Sequence, residues 1–243
     1  GDVGKLRLEM FRNEIKRSKA PMQARDTMIV ISKGPFSVKN ARTGMTNQFY
    51  QSASNNYLCL KDENGKGVWG VPFDKPICGT AQSIDYLGNN KFQILFGAGT
   101  KLHLIDVLGR FVADFSADLG KDILLGPDVY DFSGSRKYNV MVLHKDNTIE
   151  MYNLKGERPA SWSTITSSDM IKDLPEKIDL GGNTFWIVRT AIQTLIYPFG
   201  GGNPVSTLTG DQMALPHTEV KVLDETSVEV ECYDGKHRTI KLK

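Results

Sequence analysis

The sequence has no long apolar run. Its most hydrophobic stretches, "ILF" at 94–96 and "FWIV" at 185–188, fall far short of the ~18 residues a membrane-crossing helix needs. It is poor in cysteine, with Cys59, Cys78 and Cys232 as the whole set. An odd number excludes complete internal pairing. With no C-x-x-C and no histidine nearby, zinc and thioredoxin-type chemistry are not expected. All three read as small apolar residues in or near strands. Charge of one sign is also scarce: the net charge is +2, which gives no global attraction to nucleic acid or membrane. Helical periodicity sustained over 11 or more residues is missing, and the helical-looking "SSDMIKDL" at 167–174 is short. The chain begins with Gly1 rather than Met, so the natural N-terminus, with any targeting segment, is expected upstream.

What the sequence does contain is repetition. "NYLCLKDENGKGVWGV" from Asn56, "KLHLIDVLGRFVADF" from Lys101, "TIEMYNLKGERPASW" from Thr148 and a degenerate "QTLIYPFGGGNPVSTL" from Gln193 each read as strand, Gly turn, strand. The turn glycines Gly65, Gly109, Gly156 and Gly201 are separated by 44, 47 and 45 residues. A second hairpin alternates with the first, from Phe36, Gln82, Asp128, Glu176 and Glu219. Its turns, "RTG", "GNN", "SGS", "GGN" and "DET", carry residues suited to positive φ or side-chain-bonded reversals. The unit is therefore four short strands in roughly 45 residues, the period of a β-propeller blade. A lone four-stranded blade cannot cover both its faces, whereas radial packing buries them. "FQILF" and "FWIV" lose strict alternation in the second strand of a unit, as burial on both faces requires.

The units run from Phe36 to Val71, Gln82 to Phe115, Asp128 to Trp162, Glu176 to Leu208, and from Glu219 to the C-terminus. The fifth is one strand short. "DTMIVIS" (26–32) or "KLRLEMF" (5–11) is expected to supply the missing strand beside 236–243 and hide both edges. The expected fold is thus all-β: a propeller of four-stranded antiparallel blades, five in number and closed by N- and C-terminal strands. An open fragment, or six or more blades, are the alternatives. Residues 26–243 form the propeller domain. Residues 1–25 form a basic segment or edge strand: Lys5, Arg7, Arg12, Lys16, Arg17, Lys19 and Arg25 outweigh Asp2, Glu9 and Glu14. It reads as a solvated linker or edge protection. Phe11 is its sole aromatic residue, which argues against nucleic acid.

No residue set specifies a reaction. His103, His144, His217 and His237 form neither H-x-H nor H-x-x-x-H, and no nucleophile motif is present. "DENG" at 62–65 lacks the later ligands of a calcium loop. "GAG" (97–99) and "GGGN" (200–203) open no helix and read as strand connections. The connecting loops, 74–81, 116–126, 163–175 and 209–217, should gather on one face around the axis, where scaffold folds concentrate function. "SADLGKDILLG" (116–126) is the loop we single out. Asp74, Asp118, Asp122, Asp169, Asp173 and Asp211 are the loop carboxylates that could converge there.

"LKDENGKGVW" (60–69) and "LIDVLGRFVADF" (104–115) resemble the quinoprotein-type, PQQ-like repeat, in which a strand ending in Asp passes a Gly turn into a strand carrying Trp. Asp62, Gly65 and Trp69 match this pattern, Asp106 and Gly109 match without the Trp, Gly156 and Trp162 match loosely, and Pro198 departs from it. The repeats are also similar to those of bacterial cell-envelope propeller proteins. That resemblance implies a periplasmic or cell-envelope, non-catalytic module. The enzymes of the superfamily use eight blades and an acidic calcium site, which five units do not match. Trp69 and Trp162 are accordingly expected to pack between blades. The expected function is a non-enzymatic module binding a protein or peptide, with no catalytic, cofactor or metal residues assigned. The rivals are a carbohydrate-binding or glycoside-processing propeller with axial carboxylates, and a structural segment of a larger protein.

Overall fold

The computed structural model describes residues 29–216 and 218–242. Their strands form five antiparallel sheets in chain order. The first holds β1 (Phe36–Lys39), β2 (Thr46–Gln51), β3 (Leu58–Lys61) and β4 (Gly67–Val71). The second holds β5 (Ala81–Ile84), β6 (Gln93–Ala98), β7 (Lys101–Asp106) and β8 (Ala117–Asp118). The third holds β9 (Ile123–Tyr130), β10 (Asn139–His144), β11 (Thr148–Asn153) and β12 (Ile165–Thr166). The fourth holds β13 (Glu176–Leu180), β14 (Asn183–Arg189), β15 (Gln193–Pro198) and β16 (Ser206–Thr209). The fifth has three strands, β17 (Lys221–Val222), β18 (Ser227–Glu231) and β19 (His237–Lys241). A single 3-10 turn at Gly210–Gln212 is the one helical element among the described residues, so the helical reading of 167–174 does not hold.

The sheets stack face to face, and the middle strands show why their sequences lose alternation. In β6, Ile94 and Phe96 join Phe49, Leu58 and Leu60 of the first sheet, while Leu95 joins Val140 and Val142 of the third. In β10, Met141 and Leu143 turn the other way, to Trp186 and Val188 of the fourth sheet. In β14, Phe185 and Ile187 meet Val228, Val230 and Ile240 of the fifth. Each pleat face therefore has its own apolar neighbour, and β6 is buried throughout its length. Four cores lie between five consecutive sheets, the radial order of a β-propeller. Trp162 packs in the core between the third and fourth sheets, and Trp69 against the core between the first and second, as expected.

The β3–β4, β7–β8 and β11–β12 turns share one chemistry. The Oδ1 of Asp62, Asp106 and Asn153 each accepts two backbone N–H groups, from Asn64 and Lys66, Leu108 and Arg110, and Lys155 and Glu157. Three residues on, a glycine at φ near +80° closes the turn. "DENG" is thus turn chemistry. The glycines also clasp the preceding sheet. A Cβ on Gly109 would meet the Trp69 indole at 3.0 Å, one on Gly156 would meet the carbonyl of Asp118 at 3.0 Å, and one on Gly201 would meet the carbonyl of Ser163. Trp69 Nε1 donates to the carbonyl of Val107 across the same junction, at 2.9 Å. Around Gly65, in the first sheet, nothing described lies within 4 Å.

Two expectations are corrected. "FVADF" (111–115) alternates like a fourth strand, but Phe111 makes only an isolated bridge to Ile105, and the paired strand is Ala117–Asp118 against Lys101–Leu102. Val107 and Gly109 dock the turn onto Trp69, while Phe111 stacks on Phe73 and Phe115 meets Tyr86 edge-on. Similarly, Ala160–Trp162 forms a turn, and β12 starts at Ile165. Of "DTMIVIS", the described residues 29–32 lie in no strand. Ile29, Val30 and Ser32 instead line the central cavity, so they do not edge the fifth sheet. The other closing segment, 5–11, and the basic segment 1–25 lie outside the described residues. No helix among the described residues is long and apolar enough to cross a membrane.

Candidate functional site

In each sheet the first strand runs away from the end where the sheets are joined, and its lead-in residues sit at that end. The lead-ins converge. Ile29, Val30 and Ser32 precede the first sheet, Gly79 and Thr80 the second, and Lys172 to Pro175 the fourth, with Thr218 and Glu219 before the fifth. Together with Leu125 and Asp128 in β9 and Glu176 at the start of β13 they line one cavity of about 980 Å³. Arg189, Thr190 and Ala191, from the β14–β15 turn, and Tyr233, from the β18–β19 turn, complete the wall. This volume lies in the range of ligand sites.

Asp128 is the most constrained group in it. Gln82 Nε2, from the second sheet, donates to Asp128 Oδ1, and Gln82 Oε1 accepts the N–H of Val129 at 3.2 Å. Tyr130 OH donates to Asp128 Oδ2 at 3.1 Å. Burial pushes the Asp128 carboxyl above the usual carboxylate range; the charge of Asp173 adds to this, while the two side-chain bonds oppose it. Burial, reinforced by the Asp128 charge, likewise pushes the Tyr130 phenol up. Across the cavity, Arg189 Nη2 bonds Glu176 Oε2 at 2.8 Å, and the Arg189 Nε, out of solvent contact, has no acceptor among the described residues. A bridge between Ile171 and Thr190 ties the fourth sheet's lead-in to its own β14–β15 turn. Beside the lining residues Lys172 and Ala191 in the chain stand two exposed apolar side chains, Met170 (50% exposed) and Ile192 (55%), and Val30 (81%) lines the wall.

Of the six loop carboxylates, Asp173 alone reaches this cavity. Asp74 and Asp211 are exposed. Asp118 pairs with Lys101 at 3.7 Å and Asp122 with Lys145 at 3.2 Å, both outside it. Asp169 is tied to the β10–β11 turn, its backbone carbonyl accepting from Asn147 Nδ2 at 2.8 Å. Residues 116–126 are not a free loop, because β8 and β9 use most of them. The signal that would have found the cavity was a polar residue three positions before the turn Asp in three successive units. Gln82, Asp128 and Glu176 stand at equivalent places; two line the cavity and the third holds one of them.

The remaining candidates do not converge. His103 is caged by Phe73, Phe96 and Phe111. His144 bonds Tyr152 OH at 2.9 Å, His237 lies 3.6 Å from Glu229, and His217 is outside the described residues. The three cysteines are free thiols, and burial pushes that of Cys78 up to about 11. Among the described residues, no group of three or more His, Cys, Asp or Glu is placed to hold a metal ion.

No family model matches the chain, and no curated protein matches it. Solved structures do. BBS1N in complex with ARL6DN, soaked with mercury, superposes with a TM-score of 0.59 at 10% identity, over 89% of this chain and 70% of that one. The lead-soaked crystal of the same complex gives 0.52 at 11%, over 85% and 64%. A protein of unknown function from Bacteroides caccae gives 0.46 at 10%, over 80% and 69%. The chain is a β-propeller. At these identities the likeness concerns the fold alone, and the chain spans about two thirds of the length of the BBS1N chains.

Proposed function

We propose that this propeller is a non-enzymatic interaction module that takes a protein or peptide partner on the face where the axial cavity opens. The observation that carries the reading is exposed apolar surface at a charged cavity. Val30 lines it, and the exposed Met170 and Ile192 adjoin lining residues in the chain, giving the mix of apolar and charged contacts that protein interfaces use. The likeness to BBS1N, a propeller crystallised in complex with another protein, supports it. In this reading the ring has five blades. The PQQ-like repeat type and a place in the bacterial cell envelope are part of the proposal, and both rest on the Asp62, Gly65 and Trp69 pattern. The sugar-processing alternative draws on Asp128 and Asp173 sharing the cavity. Both Asp128 oxygens accept hydrogen bonds, an arrangement that suits an acceptor more than a proton donor.

The test places a photo-crosslinking benzoylphenylalanine at Ile192 or, on the opposite turn face, at Leu108, which is 64% exposed. A partner captured through Ile192 and not Leu108, whose purified form no longer binds Met170→Asp or Ile192→Asp protein, is the expected result. Capture through Leu108 alone overturns the placement. Turnover of chromogenic glycosides, abolished by Asp173→Asn, would replace the reading with the sugar-processing one.

A further inference from the structure

We propose that a groove between the first two sheets, on the face opposite the axial cavity, takes a helix that is apolar along one side, acidic at one end and basic at the other. The helix belongs to a second partner, distinct from the one at the cavity, and the groove uses none of the cavity's residues.

The groove has a volume of about 870 Å³ and opens where the β1–β2, β3–β4, β5–β6 and β7–β8 turns meet. Exposed Val68, Leu87 and Leu108 line it together with buried Leu60. The repeats show that the turns do not require the two leucines. Leu108 stands two residues after the Asp of its turn, where the first and third sheets have Asn64 and Lys155. Leu87 stands two residues after Asp85, where the third sheet has Ser133 two residues after Asp131. The glycines that follow, Gly88 and Gly134, share a φ of +65°, so the two turns have the same backbone. The chain thus replaces a polar turn residue with leucine at two separate places, and both leucines line one groove. Apolar side chains gathered on exposed turns mark a contact surface.

Charge selects the occupant. At the inner side of the groove the first strands meet, and the Lys39 N–H donates to Ser83 Oγ at 2.7 Å. At the outer side the β7–β8 turn meets Trp69 of β4. The inner turns bring Arg42 and Lys91 and no carboxylate to the lining. The outer turns bring Asp62, Glu63 and Asp106, and Asp106 is paired with Arg110 at 2.7 Å. Two positive charges are left at the inner end and two negative charges at the outer end. A wholly acidic or wholly basic segment is attracted at one end and repelled at the other, whereas a segment with opposite ends is attracted at both. The lining is drawn from four hairpin turns rather than one strand edge, so an extended backbone finds no continuous ladder there. A helix satisfies its own backbone and presents apolar side chains to such a groove.

The test titrates fluorescently labelled, C-amidated peptides with the full chain and follows anisotropy. All share the core Leu-Ala-Ala-Leu-Leu-Ala-Ala-Leu, which sets leucines at i, i+3, i+4 and i+7. One peptide has Glu-Glu before the core and Lys-Lys after it, a second has glutamates at both ends, and a third has lysines at both ends. The mixed peptide should bind about tenfold more tightly than the other two, each of which exchanges attractions for like-charge contacts at one end. Leu87→Asp should abolish binding without changing the melting temperature, because that side chain is exposed. A double variant, Arg42→Glu with Lys91→Glu, makes both ends of the groove acidic at two exposed positions. It should prefer the lysine-ended peptide about tenfold, a switch that apolar adhesion alone does not produce. Ile192→Asp should leave binding of the mixed peptide unchanged. Equal affinity for the three peptides, an unswitched preference in the double variant, or no binding at millimolar protein overturns the proposal. Binding lost in Ile192→Asp also overturns it, by moving the peptide to the cavity face. So does a dimer in sedimentation that Leu87→Asp dissolves, which makes the occupant a second copy of this chain. Each of the first three failures leaves partner capture through Ile192 untouched, so the groove and the cavity face stand or fall separately.

Discussion

Gly65 and Gly109 offer a matched pair of perturbations. Both occupy the third position after an Asp-capped turn, and both have φ +79°. The space around them differs. A Cβ on Gly65 meets nothing described within 4 Å, whereas a Cβ on Gly109 meets three atoms of the Trp69 indole at 3.0 to 3.3 Å. That indole is held by its hydrogen bond to the Val107 carbonyl and cannot swing aside without breaking it. Alanine at Gly65 should therefore cost only the left-handed backbone strain, about 1 kcal/mol. Alanine at Gly109 should add the cost of overpacking, about 1–3 kcal/mol. In a domain of this size, 1 kcal/mol moves the melting temperature by about 3 °C. The expected shifts in calorimetry are thus roughly 3 °C for Gly65→Ala and roughly 6–12 °C for Gly109→Ala on the same scale. A third protein closes the argument: in a Trp69→Leu background the indole is gone, and Gly109→Ala should fall to the cost of Gly65→Ala. Equal shifts for the two single variants, or no relief in the Trp69→Leu background, would refute the clasp between neighbouring sheets.

Two further outcomes are expected. Glu150 is 1% exposed and accepts hydrogen bonds from Trp162 Nε1 and Thr164 Oγ1 while pairing with Arg158; Glu150→Ala should lower urea-unfolding stability by about 3 kcal/mol, Glu150→Gln by less, and a neutral Glu150→Ala would contradict the assigned network. His103 has its pKa lowered, first by burial and then by Lys75, so protonation favours the unfolded chain: stability should be flat at high pH and fall as pH drops below the ordinary value of about 6.5. His103→Gln should make that fall shallower between pH 7.5 and 5.5 in urea titrations, though not abolish it, because His144 is shifted the same way.

The architecture was legible where its chemistry is local. An Asp or Asn, two residues and a glycine make a turn from their own atoms, so the spacing of Gly65, Gly109 and Gly156 displayed the unit directly. The run "FWIV" announced a strand with neighbours on both faces, and Trp186 and Phe185 do face different cores. The fourth strands were not legible in the same way. "FVADF" alternates, but its aromatics pack on residues far back in the chain, Phe111 on Phe73 and Phe115 on Tyr86, and Ala117–Asp118 takes the place beside Lys101–Leu102. The site was missed for a similar reason. Asp118 and Asp122 looked axial because a 45-residue period placed them between units. The carbonyl of Asp122 instead accepts from Lys145 at 3.0 Å and meets His144 Nδ1 at 3.1 Å, which holds that segment to the third sheet. Asp128 reaches the axis because β9 begins before the repeat does, at Ile123.

The open space around Gly65 has a mechanical meaning. Three clasps join sheets one to two, two to three and three to four, and the turn glycine of the fifth sheet, Gly235, makes no such clasp among the described residues. Sheets two and three are gripped on both faces, so their amides should be the slowest to exchange with solvent, and exchange should begin in the outer sheets, one and five. The cavity wall draws on both outer sheets: Val30 leads into the first, and Glu219 leads into the fifth. An occupant touching both acts as a staple between them. Binding would then tighten the fold, and the protein would report its partner as a rise in its own resistance to opening.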